Sequence, residues 1–317
     1  MSDAAPAGAS AGGAADPTDA ALTAALERAL PAPVRILARR PSPYASSFPL
    51  AELDVEAGDG ARLTLIWKDL TPDALLPGAR RARGGAPPPD PARELRAYDL
   101  LEGAGLGTPR RIAAVLDERR AWLFLEAVRG ARLEHVGEPA AWEAAARWLA
   151  RAHTVLTAHA EDPAWPLPWL PPDLDALTAR EPRMAALAPA LQAAAARLAA
   201  AQHTVIHGEL YPANVLTAGG GRVCALDWET IARGPALLDL AALTAGRWDE
   251  PGDPLAAAYR DALPEPPPPD TFRADLDAAR LLTAARWLAA PAGWSPPPEQ
   301  ARDWLADAEL IAARIGA

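Results

Sequence analysis

The chain has 317 residues and a mass of 33.3 kDa, which excludes peptide hormones, zinc knuckles and disulfide-stabilised miniproteins and predicts two domains or lobes. Its 31 basic and 41 acidic residues give a net charge of -10, which argues against nucleic-acid binding and favours a small-molecule partner. Half of the residues are hydrophobic but only 6% are aromatic, and the abundance of alanine predicts a largely helical protein.

The N-terminal residues 1–19 are rich in Ala, Gly and Ser and have neither a basic start nor a long apolar stretch. We therefore predict a disordered tail there rather than a signal peptide. The one cysteine, Cys224, cannot form an internal disulfide, which fits a reducing cytosol. Charges interrupt every apolar window of about 18 residues, so no membrane-spanning segment is expected. Together these features predict a cytoplasmic protein.

Residues 20–130 predict an N-terminal lobe with five strands and one main helix. Helical periodicity starts near Asp19, and Gly58-Asp59-Gly60 predicts a hairpin turn. The candidate strands are residues 34–38, 50–56, 61–68, 110–116 and 121–128.

The third predicted strand ends on Lys68, the only lysine among the basic residues of the chain. On the helix predicted over residues 92–102, Glu94 shares a face with Tyr98 and Leu101, and an unpaired carboxylate on that packed face would be costly. We therefore expect Glu94 to have a partner. The intervening residues 77–91, rich in Arg, Gly and Pro, predict a flexible surface loop.

Residues 131–317 predict a larger, mainly helical lobe. Helical periodicity covers residues 139–160 and 174–202, the second with a break near Pro182 or Pro189, and resumes from Pro235 to the end. Between them, residues 204–228 predict a short strand, a polar loop and another short strand.

That polar loop carries the residues that point to chemistry. His207, Glu209 and Asn214 stand between apolar pairs, and Asp227 closes an apolar strand thirteen residues after Asn214. An Asn and an Asp can hold magnesium on a nucleoside triphosphate, and a loop carboxylate can receive the proton of an acceptor hydroxyl. The pattern therefore predicts phosphoryl transfer.

These segments resemble the aminoglycoside phosphotransferase and choline kinase-like family, whose members are relatives of the protein kinases. The family signature His-Gly-Asp-x-x-x-x-Asn, Asp-Trp-Glu, Gly-Pro and Asp-Leu-Ala is matched in order by His207-Gly-Glu209, Asn214, Asp227-Trp-Glu229, Gly234-Pro235 and Asp239-Leu-Ala241. The resemblance runs from about residue 34 to the last helices. It implies an α+β, two-lobed protein-kinase-like fold, with a five-stranded antiparallel sheet and one helix in the smaller lobe and mostly helices in the larger.

The resemblance also implies the cofactors, ATP and Mg²⁺, and a small-molecule acceptor with a hydroxyl group. In the smaller lobe, Lys68 would contact the α- and β-phosphates with Glu94 as its ion-pair partner. The backbone of a hinge that includes Glu126 and Val128 would bind adenine.

In the larger lobe, the resemblance makes Glu209, Asn214 and Asp227 the catalytic residues. Asn214 and Asp227 would also be the metal ligands. His207 and Asp239 would support the loop from behind.

Two departures from the family pattern leave alternatives open. Glu209 stands where the family has Asp, which moves the carboxylate by about 1.5 Å. The interpretations are an active kinase or, as the alternative, a catalytically impaired nucleotide-binding pseudoenzyme. The connection over residues 42–49 has no glycine, so Ser46 and Ser47 are the candidates to cover the phosphates, with a serine-capped turn as the alternative.

The acceptor is the least constrained part of the prediction. Carboxylates and aromatic rings suited to a cationic acceptor occur in Trp248-Asp249-Glu250, Trp294, Asp303 and Trp304. An amine-bearing acceptor is therefore one hypothesis, and helix packing by these tryptophans is the other. The oligomeric state and the choice between ATP and GTP stay open.

Overall fold

A computed structural model describes residues 16–83, 87–162, 168–245, 253–290 and 302–315. The chain divides into two units, Met1–Leu95 with Arg111–Ala127 and Arg96–Arg110 with Val128–Ala317. Of the tail predicted over residues 1–19, residues 1–15 lie outside the described residues, and Asp19 begins the first helix.

The first unit is built on a five-stranded antiparallel sheet, as predicted. Its elements are α1 (Asp19–Leu26), β1 (Arg35–Pro41), β2 (Leu50–Glu56), β3 (Arg62–Asp69), a 3-10 turn (Pro72–Ala74), α2 (Pro77–Ala82), the start of α3 (Pro91–Gly103), β4 (Arg111–Leu116) and β5 (Ala121–Glu126). The strand order is β1-β2-β3-β5-β4, and each neighbouring pair is antiparallel.

The core of this unit lies between one face of the sheet and α1. Strand β2 alternates buried and half-buried residues because successive side chains of a strand point to opposite faces. Its buried residues join Trp67, Phe124 and the apolar side of α1 in one cluster. This packing places β3 at the centre of the sheet, with its last residues buried.

The loop predicted over residues 77–91 is wrong in its first part, which forms α2. Pro77 occupies the first helical position, where its fixed φ angle suits a helix and its missing N–H is not needed. The N–H of Leu76 donates to the carbonyl of Ser47 at 2.9 Å and fixes the start of the helix. Residues 87–90 have no regular structure, and residues 84–86 lie outside the described chain.

The second unit contains mostly helices and two small antiparallel sheets. Its helices are the rest of α3, α4 (Pro139–Leu156), α5 (Leu174–Arg180), α6 (Ala188–Ala199), α7 (Leu237–Thr244), α8 (Pro254–Asp261), α9 (Pro269–Leu288) and α10 (Trp304–Ile315). Its strands are β6 (Ala131–Arg132), β7 (His203–Ile206), β8 (Val215–Ala218), β9 (Arg222–Ala225) and β10 (Ala232–Pro235). Short 3-10 turns cover Leu133–His135, Thr157–His159, Pro182–Leu187, Pro212–Asn214 and Gly219–Gly221.

Two long helices organise this unit. Helix α4 packs against α8 and β7, and α9 packs against α6, α7 and α10. The sheets pair β10 with β7 and order the other three strands β6-β8-β9. The break predicted near Pro182 or Pro189 is confirmed, since the 3-10 turn at Pro182 separates α5 from α6. Among the described residues, no helix has the length and apolarity that crossing a membrane requires.

We expect Phe124→Ala to destabilise the first unit strongly. Phe124 is fully buried in the cluster between sheet and α1, and truncation of such a ring costs about 3–5 kcal/mol through lost burial and an unfilled cavity. Urea unfolding followed by circular dichroism measures the change. The matched control is Leu116→Ala at the exposed end of β4, for which about 0.5 kcal/mol or less is expected. Equal losses in the two variants would contradict this core assignment.

Candidate active site

In the first unit, a buried ion pair joins the central strand to the following helix. The Nζ atom of Lys68 on β3 donates to Glu94 on α3, at 2.8 Å to Oε2 and 3.1 Å to Oε1. Both side chains are almost fully buried. A buried ion pair is tolerated only when its hydrogen bonds are good, and here the ammonium engages both carboxylate oxygens. The partner expected for Glu94 is therefore present, and the pair fixes the direction of the lysine side chain.

The other residues predicted to bind nucleotide lie in the β1–β2 connection and at or just after the end of β5. Ser46 and Ser47 are in the connection between β1 and β2, in the same unit as the ion pair; Ser46 is exposed and Ser47 half-buried. Glu126 is the last residue of β5, paired with Leu65 of β3. Val128 begins the next stretch of the second unit.

In the second unit, the predicted catalytic loop begins where β7 ends. The carboxylate of Asp239 on α7 accepts hydrogen bonds from the backbone N–H of His207 at 2.7 Å and of Gly208 at 2.8 Å. Gly208 has a φ of +86°, and a Cβ atom there would lie 2.6 Å from the carbonyl oxygen of Thr230. The loop therefore turns sharply against Thr230, and only glycine fits at the turn.

The ring of His207 connects this loop to the segment before Asp227. Its Nε2 donates to the carbonyl of Leu226 at 2.7 Å, and its Nδ1 accepts from the N–H of Glu209 at 3.3 Å. Those two contacts require the neutral ring with the proton on Nε2. His207 thus orients the backbone on both sides of the site.

Asn214 links the backbone of Glu209 to the residue that precedes Asp227. Its Nδ2 donates to the carbonyl of Glu209 at 3.0 Å, and its own carbonyl accepts from the N–H of Leu226 at 2.8 Å. The next residue, Asp227, has a φ of 61°, the one left-handed non-glycine residue in the described chain. Such a conformation is typical of functional sites that the surrounding structure holds in place. Glu209, Asn214 and Asp227 are therefore brought together within one unit.

The donor set of this loop fits a hard divalent cation. Because Asn214 uses its Nδ2 within the loop, Oδ1 is the atom that it can offer to an ion. Carboxylate oxygens of Asp227 and Glu229 lie within 4.8 Å of each other. Oxygen ligands of this kind are those that Mg²⁺ prefers. Glu229 had no role in the sequence prediction, because its spacing from Asp227 does not reveal whether the two carboxylates approach each other.

A second residue that sequence reasoning missed is Arg286 on α9. Its Nη2 donates to Oε1 of Glu209 at 2.6 Å, and its Nη1 donates to the carbonyl of Gly208 at 2.8 Å. Burial acts to lower the pKa of the Arg286 guanidinium, but the negative charge of Glu209 outweighs it, so the pKa is raised and the residue stays charged. No motif marks Arg286, which is 77 positions from Glu209 in the chain.

Asp239 is itself held by a buried histidine. Nε2 of His153 on α4 lies 3.2 Å from Asp239, and Nδ1 lies 2.9 Å from the hydroxyl of Tyr259 on α8. Burial alone would raise the pKa of the Asp239 carboxyl, but the hydrogen bond and charge of His153, with the contacts from His207, hold it below its usual value. Asp239 therefore remains an ionised acceptor beneath the loop.

Aromatic residues extend from the loop to the last helix. Tyr211 lies 5.1 Å from Trp287, measured between ring centroids, and Trp287 stacks on Trp304 at 5.3 Å with the rings 7° from parallel. The guanidinium of Arg302 lies over the ring of Trp304. Asp303 accepts from the N–H of Ala306 at the start of α10. The other residues considered for the acceptor, Trp248-Asp249-Glu250 and Trp294, lie outside the described residues.

The sequence profile of one family matches this chain. It is the phosphotransferase enzyme family, APH, and the match covers residues 78–282, more than half of the chain. No curated protein sequence gives a significant match.

Solved structures with the same fold include small-molecule kinases. The choline kinase LicA of Streptococcus pneumoniae is 15% identical, with 89% of this chain and 94% of that one covered and a TM-score of 0.56. A microcompartment-associated aminopropanol kinase is 17% identical, with 94% and 96% covered and a TM-score of 0.58. A choline kinase of Cryptosporidium parvum is 11% identical, with 94% of each chain covered and a TM-score of 0.56. The predicted protein-kinase-like fold is confirmed.

We expect Gly208→Ala to lower the stability of the protein by more than the cost of placing alanine in a left-handed backbone conformation. A left-handed alanine costs about 1–2 kcal/mol, and at residue 208 the new methyl group would also meet the Thr230 carbonyl. Gly221→Ala is the matched control, because Gly221 has a φ of +78° with nothing within 4 Å of the added Cβ atom. Chemical unfolding should show a larger loss for Gly208→Ala than for Gly221→Ala. Indistinguishable losses would mean that the approach to Thr230 does not constrain the loop.

Proposed function

This chain belongs to the phosphotransferase enzyme family, and from that premise we propose that it transfers the γ-phosphoryl group of ATP to a hydroxyl group of a small molecule. The net charge of -10 supports a small-molecule acceptor rather than a nucleic acid. Its dependence on ATP and its single buried cysteine fit the cytoplasm as its location.

The observation that carries the proposal is the double hydrogen bond of Asn214. One bond holds the Glu209 backbone and the other holds the residue before Asp227. The backbone segments that carry Glu209, Asn214 and Asp227 are thereby linked to one another. Phosphoryl transfer depends mainly on such positioning and on neutralised charge, because its transition state is loose.

On the nucleotide side, we assign Lys68 to the α- and β-phosphates and Glu94 to orienting it. The contact with both oxygens of Glu94 restricts the Lys68 side chain before phosphate binds, which reduces the conformational entropy that would be lost on binding. The Ser46 and Ser47 segment and the backbone at Glu126 and Val128 are assigned to the phosphates and to adenine. The LicA choline kinase, a structure with the same fold, has been solved with AMP, which supports a nucleotide here.

Asn214 and Asp227 are the residues that would hold Mg²⁺, with Glu229 close to Asp227. When bound, the ion neutralises charge on the phosphate oxygens. Glu209 accepts the proton of the acceptor hydroxyl as that oxygen bonds to the γ-phosphorus. The bond from the γ-phosphorus to the β,γ-bridging oxygen breaks, and ADP leaves with its electron pair.

The narrower proposal is an acceptor that carries an amine. The choline and aminopropanol kinases with this fold act on such alcohols, which supports the class for this chain. Trp304 is not the ring we assign to the ammonium group, because it already stacks on Trp287 and lies under Arg302. The second candidate function is a nucleotide-binding pseudoenzyme, favoured by the ion pair that engages Glu209 with Arg286.

Magnesium should separate the roles of Lys68 and Asp227 in nucleotide binding. We expect Lys68→Ala to weaken binding of a non-hydrolysable ATP analogue by about tenfold or more with or without Mg²⁺, because the lost charge contacts phosphate directly. Asp227→Asn should weaken binding only when Mg²⁺ is present, and asparagine tolerates the left-handed backbone at residue 227.

Isothermal titration of the purified chain measures both effects, and thermal unfolding verifies that each variant is folded. Arg62→Gln, an exposed change on the same strand as Lys68, is the control and should bind like the wild type. Absence of any binding at millimolar nucleotide would refute the kinase assignment.

Turnover separates the kinase from the pseudoenzyme. We expect the wild type to form ADP when MgATP is supplied with at least one of choline, 1-amino-2-propanol, kanamycin or glycerol. Glu209→Gln should lower kcat by about 10²–10⁴-fold, since it removes the proton acceptor and preserves the side-chain length. Asp227→Asn should abolish turnover.

A coupled ADP assay with mass spectrometry of the acceptor makes the measurement. Nucleotide binding without turnover of any acceptor would favour the pseudoenzyme, and full turnover by Asp227→Asn would contradict the metal assignment.

A further inference from the structure

Arg286 contacts the catalytic loop at two consecutive residues, and nothing in the family signature includes it. We propose that Arg286 is a positioning residue for Glu209, and that the Glu209–Arg286 pair is what allows glutamate to work at the catalytic position. The inference rests on the phosphotransferase function proposed above.

The contact has the geometry of a positioning device. Two different nitrogens of one planar guanidinium donate to the Gly208 carbonyl at 2.8 Å and to Oε1 of Glu209 at 2.6 Å. Because the guanidinium is rigid, these bonds fix the direction of the carboxylate relative to the backbone of the preceding residue. A flexible point charge such as lysine could satisfy one of the two acceptors but would not fix the angle between them.

The loop backbone that Arg286 contacts is held in place by other hydrogen bonds. Gly208 donates to Asp239 and lies against Thr230, and the carbonyl of Glu209 accepts from Asn214. Arg286 is held from the other side, because α9 presents a continuous buried face that packs against α6, α7 and α10. The guanidinium therefore links α9 to the loop, and Arg286 is the residue that holds the Glu209 carboxylate, while the loop backbone has further hydrogen bonds to Asp239 and Asn214.

This dependence is greater for glutamate than for aspartate. Glutamate has one more rotatable bond, so an unanchored carboxylate would lose more conformational entropy on reaching a reactive position. An aspartate would also end about 1.5 Å closer to the backbone and lose contact with Nη2. Oε1 is the oxygen that Arg286 holds, and Oε2 makes no hydrogen bond within the described chain. Oε2 is therefore the oxygen that faces the acceptor proton in this proposal.

The opposite interpretation is that Arg286 restrains Glu209 in an inactive position. The two interpretations predict opposite changes in rate when the arginine is removed. Arg286→Gln should lower kcat about 100-fold with little change in KM for ATP if it positions Glu209, since a misplacement of about 1 Å has that order of effect. Arg286→Lys should restore part of the rate, because it keeps a charged donor.

The experiment measures ADP formation from MgATP with choline or 1-amino-2-propanol, and with water as the acceptor when neither is used. Variants are Arg286→Gln, Arg286→Lys, Glu209→Asp and the Glu209→Asp, Arg286→Gln double variant. In the Glu209→Asp background, Arg286→Gln should change kcat less than about threefold, because the shorter carboxylate no longer reaches the guanidinium and only the hydrogen bond to the Gly208 carbonyl is lost. Arg273→Gln, an exposed arginine on the same helix, is the control and should be as active as the wild type.

An unchanged or raised kcat in Arg286→Gln, or equal losses in both Glu209 backgrounds, would overturn the inference while an active wild type leaves the proposed function intact. An inactive wild type would instead refute the proposed function. The ion pair is then tested by urea unfolding of Glu209→Gln, Arg286→Gln and their combination, where non-additive shifts of the midpoint are expected. Additive shifts would show that the pair does not form and would overturn the inference independently of activity.

Discussion

One buried carboxylate holds the candidate active site together. The Asp239 carboxylate accepts hydrogen bonds from two backbone N–H groups of the loop and lies 3.2 Å from Nε2 of His153. A carboxylate with so little exposure would be costly if its oxygens were unpaired, and the two backbone donors at the end of β7 would be equally costly without an acceptor. The hydrogen bonds between the carboxylate and the backbone N–H groups therefore offset the cost of burying both. This reciprocity explains why the two segments, about thirty residues apart, occur together.

The geometry of the loop follows from this anchor. With the backbone of His207 and Gly208 tied to Asp239, the imidazole is directed at Leu226, and the turn at Gly208 closes against Thr230. The chain that leaves this turn meets Asn214, which links the loop to the strand leading into Asp227. The placement of the predicted catalytic residues therefore follows from a network of hydrogen bonds to the backbone of the loop.

The sequence predicted the parts of the fold and site that depend on local pattern. Strand alternation predicted the five strands of the sheet, and helical spacing placed Glu94 on a packed face that needed a partner, which is Lys68. Helix α2 was missed because Pro, Gly and Arg are typical of loops, whereas the deciding contact, from Leu76 to Ser47, is remote in sequence. Arg286 could not be predicted for the same reason: helix α9 carries several arginines, and only tertiary packing selects the one that meets Glu209.

Glutamate at residue 209 therefore need not indicate lost function. Seen only in the sequence, the extra methylene displaces a reactive group by about 1.5 Å and adds a rotatable bond. In the structure, a charged guanidinium constrains that bond and is itself held by a long buried helix. The relevant comparison is thus between an aspartate, whose side chain has one rotatable bond fewer, and a glutamate whose carboxylate is held by Arg286. With glutamate, control of the carboxylate direction lies in α9, outside the loop that carries the motif.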